Sequence, residues 1–117
     1  MGLDCYLQKD LGLEDDGRTW KSEELWYGRK TNALHGWMQR RSGIDAGDFN
    51  CERLYLDAQA LDDLEKDCAL GSVLPTNGFF FGSPEEREYI QGYTEEFIKT
   101  GREALAAGDK IYYFSWW

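Results

Sequence analysis

Residues 3–8 read LDCYLQ, and far along the chain residues 110–117 read KIYYFSWW. In the first stretch Leu3, Cys5 and Leu7 alternate with Asp4, Tyr6 and Gln8. Successive side chains of an extended strand point to opposite faces, so this period of two predicts a strand half-buried against a core. The second stretch is dense in aromatic residues, which suit a pleated surface. Pairing the first strand with the last would tie down two segments that otherwise fray.

Working inward, residues 10–19 hold Gly12, Gly17 and a run of acids, and read as a loop. Residues 24–27, ELWY, read as a short strand or the entry into a helix. Residues 29–41, RKTNALHGWMQRR, read as a helix. Ala33, Leu34, Trp37 and Met38 fall on one side of it, and Thr31, Asn32, His35 and Gln39 on the other. Residues 42–50 form a loop and 53–56, RLYL, suit a short strand. Asp57 is placed to N-cap a helix over 58–69 with Leu61, Leu64 and Cys68 on one face. Ser83-Pro84-Glu85-Glu86 has the form of a capping box with proline at the first helical position. From there a helix is expected to run to about Ala107, carrying Tyr89, Ile90, Tyr93, Phe97 and Leu105 at spacings of three and four, with Gly108 as its C′ residue. The sum is an α+β fold in a single domain, 1–117. It has a small, mainly antiparallel sheet with about three helices packed on it.

The chain has 117 residues, 42% of them hydrophobic and 15% aromatic, enough for a packed core and against disorder. Its net charge of −9 makes direct nucleic acid binding unexpected. No apolar run approaches the roughly 20 residues that span a bilayer, and the N-terminus lacks the basic-then-apolar order of a signal peptide. Cys5, Cys51 and Cys68 are scattered and odd in number, without a CxxC spacing. The expectation is a reduced, cytoplasmic protein with no metal site and no cofactor. The charge is uneven. Residues 57–67 hold Asp57, Asp62, Asp63, Glu65 and Asp67 against Lys66, whereas residues 29–41 hold Arg29, Lys30, Arg40 and Arg41 and no acid. The single histidine, His35, lies in the basic segment.

Four stretches together carry a resemblance: MGLDCYL at the start, WYGRKTNALHGW, LPTNGFFFGS, and the closing YYFSWW. They resemble a family of small bacteriophage and prophage proteins, whose forms are close to MGLDMYL, WRKANAIHKW and YQSSW. The resemblance implies a phage or prophage origin and, by itself, no particular activity. It carries over Arg29, Lys30, Asn32, His35, Thr76 and Ser83. The chain departs from the family form at its end, where Trp116-Trp117 stands in place of one tryptophan.

Three features are candidate sites. Arg29 and Lys30 would sit in the first turn of the basic helix, where free N–H groups favour an anion. With Asn32 and His35 they would hold a small anionic ligand such as a nucleotide phosphate, or support acid–base work. Surface pairing and a structural histidine are the plain alternatives. The loop LPTNGFFFGSPEE (74–86) sets Phe79, Phe80 and Phe81 between Gly78 and Gly82. One ring side would seat on the core and the other, with Thr76, Asn77, Phe80 and Ser83, would cover a pocket or meet a partner. Finally Asp62, Asp63, Glu65 and Asp67, with Glu85 and Glu86, would either imitate a phosphate backbone toward a host protein or simply solvate the surface. Trp116 and Trp117 are further candidates for partner contact or a homodimer. No GxSxG, HExxH, P-loop or GxGxxG motif is present, so no catalytic residue is assigned. The leading expectation is an acidic binding or inhibitor protein acting on a bacterial host factor, such as an antiviral defence component. The alternative is a small anionic ligand binder, a sponge or small hydrolase.

Overall fold

The computed structural model describes residues 3–45, 47–70 and 87–117. Strands β1 (Asp4–Leu13) and β2 (Trp20–Arg29) form a hairpin. Helix α1 (Asn32–Ser42), β3 (Leu54–Leu56), α2 (Ala58–Ala69), α3 (Arg87–Ala106) and β4 (Lys110–Trp116) follow. The strands make one antiparallel sheet in the order β2-β1-β4-β3. The first strand does pair with the last, Cys5 lying opposite Ser115 and Lys9 opposite Ile111. The chain is α+β, as its patterning predicts.

The alternation along each strand sorts residues between two faces. Leu3, Cys5, Leu7, Trp26, Leu56, Ile111 and Tyr113 point inward and are buried. The three described helices all pack on that face: α1 through His35 against Tyr113, α2 through Leu61 beside Gly101 and Ile111, and α3 through Phe97 against Trp26 and Tyr113. Each fully buried Leu, Ile or Phe here contributes roughly 1.5–3 kcal/mol relative to exposure. Tyr113 is the centre of this core. Its ring stacks on Phe49 at 5.9 Å, and its hydroxyl donates to Cys5 Sγ at 3.0 Å.

Three boundaries differ from the sequence reading, each for a local reason. Residues 10–13 are strand, not loop, and β2 begins at Trp20, ahead of the expected 24–27. A β-bulge at Asp10/Gly12 absorbs the glycine, with the Asp10 carboxylate accepting from the Gly12 N–H. The turn itself is confined to 14–19, where Asp16 accepts from the backbone of Arg18 and Thr19. Those bonds hold the Asp16 carboxyl below its usual range. Residues 24–27 are strand. Helix α1 begins at Asn32, not at Arg29. Arg29 closes β2, and Lys30 takes φ +58°, a left-handed turn that separates strand from helix.

The α2 reading holds at both ends. The helix spans Ala58–Ala69 and the Asp57 side chain accepts from Ala60 N. Asp57→Ala should therefore cost about 1 kcal/mol, read as a lower urea midpoint with an unchanged slope. At the end of α3, Gly108 has φ +87°, and the bonds Gly108 N–H to Leu105 O and Asp109 N–H to Ala104 O form a Schellman motif. The proposed helix start at Ser83-Pro84-Glu85-Glu86 lies outside the described residues.

Candidate functional site

The basic helix divides its candidate residues between surface and core. Arg29 and Lys30 are exposed, whereas Asn32 is 0% and His35 2% exposed. The expected polar side of α1, Thr31, Asn32 and His35, is buried. The first two turns of the helix sink into the core on every side. His35 Nδ1 lies 2.8 Å from the Tyr113 hydroxyl. Because that hydroxyl gives its one proton to Cys5 Sγ, it accepts from His35, which places the imidazole proton on Nδ1. Burial lowers the His35 pKa to about 4, so the ring is neutral at pH 7. Burial also pushes the Tyr113 phenol well above its ordinary range. Cations and imidazole thus share no surface.

The acidic face of α2 is engaged by neighbouring cations. Arg102 of α3 forks onto it, donating to Glu65 at 2.7 Å and to Asp62 at 2.9 Å. Arg41 of α1 pairs with Asp63 at 2.9 Å, and the Trp37 indole donates to Asp67 at 2.8 Å. These contacts hold the Glu65 carboxyl below its usual range through Arg102, and that of Asp63 through Gln59 and Arg41. The acids bind α2 to its neighbours, and the net field they project is correspondingly reduced. Thr76, Asn77, Phe80, Ser83, Glu85 and Glu86 lie outside the described residues.

The outward face of the sheet carries what the sequence reading largely missed. No described helix covers it. Tyr6 and Tyr27 pack at 5.2 Å across β1 and β2, and Tyr6 and Phe114 at 6.3 Å across β1 and β4. Trp116 continues the row at 51% exposure. Trp117 turns away, its indole N–H donating to Phe49 O and its backbone N–H to Asn50 Oδ1. Toward β3, Arg53 lies over the rings of Trp20 at 5.0 Å and Tyr112 at 5.5 Å, and Lys110 lies 4.4 Å over Tyr55. Two acids on this face are tied to phenols: Tyr27 donates to Asp4 at 2.6 Å and Tyr55 to Asp10 at 2.9 Å, while a third, Glu24, lies opposite Gln8. The Asp4 bond drives the Tyr27 pKa up to about 12. On a chain of net charge −9, this face sets Arg29, Arg53 and Lys110 against Asp4, Asp10 and Glu24 and so balances its charges. The signal was available: Tyr6 and Phe114 stand on the polar phase of strands whose other phase is core.

No family model matches the chain, and neither does any curated protein or solved structure at a significant level. No described helix is long and apolar enough to cross a membrane.

Proposed function

We propose that this chain is a small binding protein of the inhibitor type that engages a bacterial host protein through the open aromatic face of its sheet. The observation that supports this is the row Tyr27, Tyr6, Phe114 and Trp116 on a sheet face that no described helix covers, exposed at Tyr27 and Trp116 and half-buried at Tyr6 and Phe114, with Arg53 and Lys110 farther along toward β3. Tyr, Trp, Phe and Arg are the residues enriched in the cores of protein interfaces, and rigid aromatic anchors supply most of their binding energy. The resemblance to phage proteins directs the expected target to the host cytoplasm, an antiviral defence component being the concrete form. The small-anion reading is less supported, because it needs Asn32 and His35 to reach solvent beside Arg29 and Lys30. An acidic mimic is less supported too, because Arg102 and Arg41 answer the α2 carboxylates.

The test is a pull-down from the bacterial host, with the captured protein identified and its affinity measured. Replacing Phe114 and Trp116 together by Ser should weaken that complex by about 30-fold or more. Reversing Asp62 and Glu65 to Lys should leave it within about threefold. The opposite pattern would return the interface to the acidic helix.

A further inference from the structure

A second surface stands apart from the sheet face, along the free edge of β2. The sheet ends at β2, which hydrogen-bonds only to β1 among the described strands. An unpaired strand edge is a template for another chain, and proteins usually blunt it with charge. The far half of β2 does so with Lys21, Glu23 and Glu24. The near half, Leu25–Gly28, carries no charge.

Beside that near half a cleft of about 600 Å³ opens between β2 and α3. Its β2 wall is Trp26 to Arg29, and its α3 wall includes Glu88, Gly92 and Glu96. Residues 88, 92 and 96 are four apart, so they align on one stripe of the helix with the two carboxylates about 12 Å apart along its axis. A Cβ on Gly92 would meet nothing within 4 Å, so the stripe is recessed between the two acids. Glu88 and Glu96 are exposed and form no ion pair among the described residues. Tyr89 stands beside them, 57% exposed, with its ring edge-on to Tyr93 at 5.2 Å. Under the cleft Thr31 is 1% exposed, and its hydroxyl has no hydrogen-bond partner among the described residues. A buried unpaired hydroxyl costs free energy unless something in the cleft completes it.

We infer that this cleft receives an extended segment of a partner protein, added as a fifth strand on the β2 edge and placing a lysine or arginine side chain between Glu88 and Glu96 over the Tyr89 ring. Strand addition supplies main-chain hydrogen bonds, and alternate side chains of the added segment enter the cleft. Carboxylates and tyrosine faces together are the chemistry that holds an ammonium or guanidinium. Among the described residues the walls carry two carboxylates against the one guanidinium of Arg29, so the complementary side chain is cationic. Arg29 repels a second cation at its end of β2 and so favours the Glu88–Glu96 stretch.

The test uses the full chain and a capped heptapeptide of alternating threonine and valine with a central lysine. Titration followed by amide NMR should shift β2 and the first half of α3 and slow hydrogen exchange along β2. The same peptide with norleucine at its centre, and the variant Glu88→Gln/Glu96→Gln with the lysine peptide, should each bind about tenfold more weakly or worse. Both glutamates are exposed, so the variant is expected to fold, which its circular dichroism will show. Absence of binding, equal affinity for the norleucine peptide, or shifts confined to the outer sheet face would overturn the inference. The last of these would leave the sheet-face reading standing, and loss of the Phe114/Trp116 interface would leave this one standing.

Discussion

Tyr113→Ala will cost the folded chain about 3–5 kcal/mol, the largest loss expected from any single substitution considered. The ring is fully buried and meets Phe49, Phe97 and His35 with centroid separations of 5.9, 6.3 and 6.0 Å. Removing it opens a cavity where α1, α3 and the sheet converge. It also strips His35 Nδ1 and Cys5 Sγ of a partner. Small domains hold only about 5–15 kcal/mol in all, so this variant should lose about a fifth of its stability or more. Equilibrium urea unfolding reads it directly. Tyr113→Phe separates the two contributions, since it keeps the ring and loses only the hydroxyl, at about 1–3 kcal/mol. A Tyr113→Ala variant within 1 kcal/mol of the parent would mean that the three layers do not meet at this ring.

The second large effect is acid sensitivity arising from His35. Its pKa falls from 6.5 to about 4 because burial penalises the charged ring. Between those values the unfolded chain binds a proton that the native chain refuses, so stability declines as pH falls through that window. The contribution is fully present above pH 6.5 and gone below about 4. At about 1.4 kcal/mol per pH unit, the whole span is worth roughly 3 kcal/mol. Asp63 and Glu65, held below their ordinary values of 3.8 and 4.5, lose their contributions lower on the scale. Urea midpoints taken from pH 8 to pH 4 should therefore fall steadily below pH 6.5 in the parent. In His35→Gln the curve should start lower and stay flatter across the same interval. An identical slope in both proteins would assign the acid response to other groups.

These two residues also show where sequence reading works and where it stops. Leu3, Cys5 and Leu7 announce β1 because a strand's period is written in consecutive residues. Asp57 announces α2 because a cap acts within one turn. Arg29 and Lys30 looked helical because nothing local distinguishes a basic first turn from the end of a strand, and the left-handed Lys30 is a property of the junction. Periodicity places His35 on the polar side of α1, because its burial depends on Tyr113, 78 positions away. Hydrophobic periodicity carries no information about a polar residue whose partner arrives from another strand. The same holds for the open face of the sheet. Tyr6, Phe114 and Tyr27 become one surface only when three strands are registered side by side.

That registration has a kinetic side. The two inner strands of the sheet, β1 and β4, come from opposite ends of the sequence, and the Tyr113–Cys5 bond joins positions 108 apart. Closing so long a loop is entropically slow compared with forming a hairpin or a helix. During synthesis the β1–β2 hairpin and the helices can assemble early, yet β1 presents a vacant inner edge until β4 has left the ribosome. The nascent chain therefore spends its emergence with a strand whose Cys5 and Leu7 belong to the core unpaired on one side, the interval in which a chaperone, or a neighbouring copy of the same strand, has the best chance of capturing it.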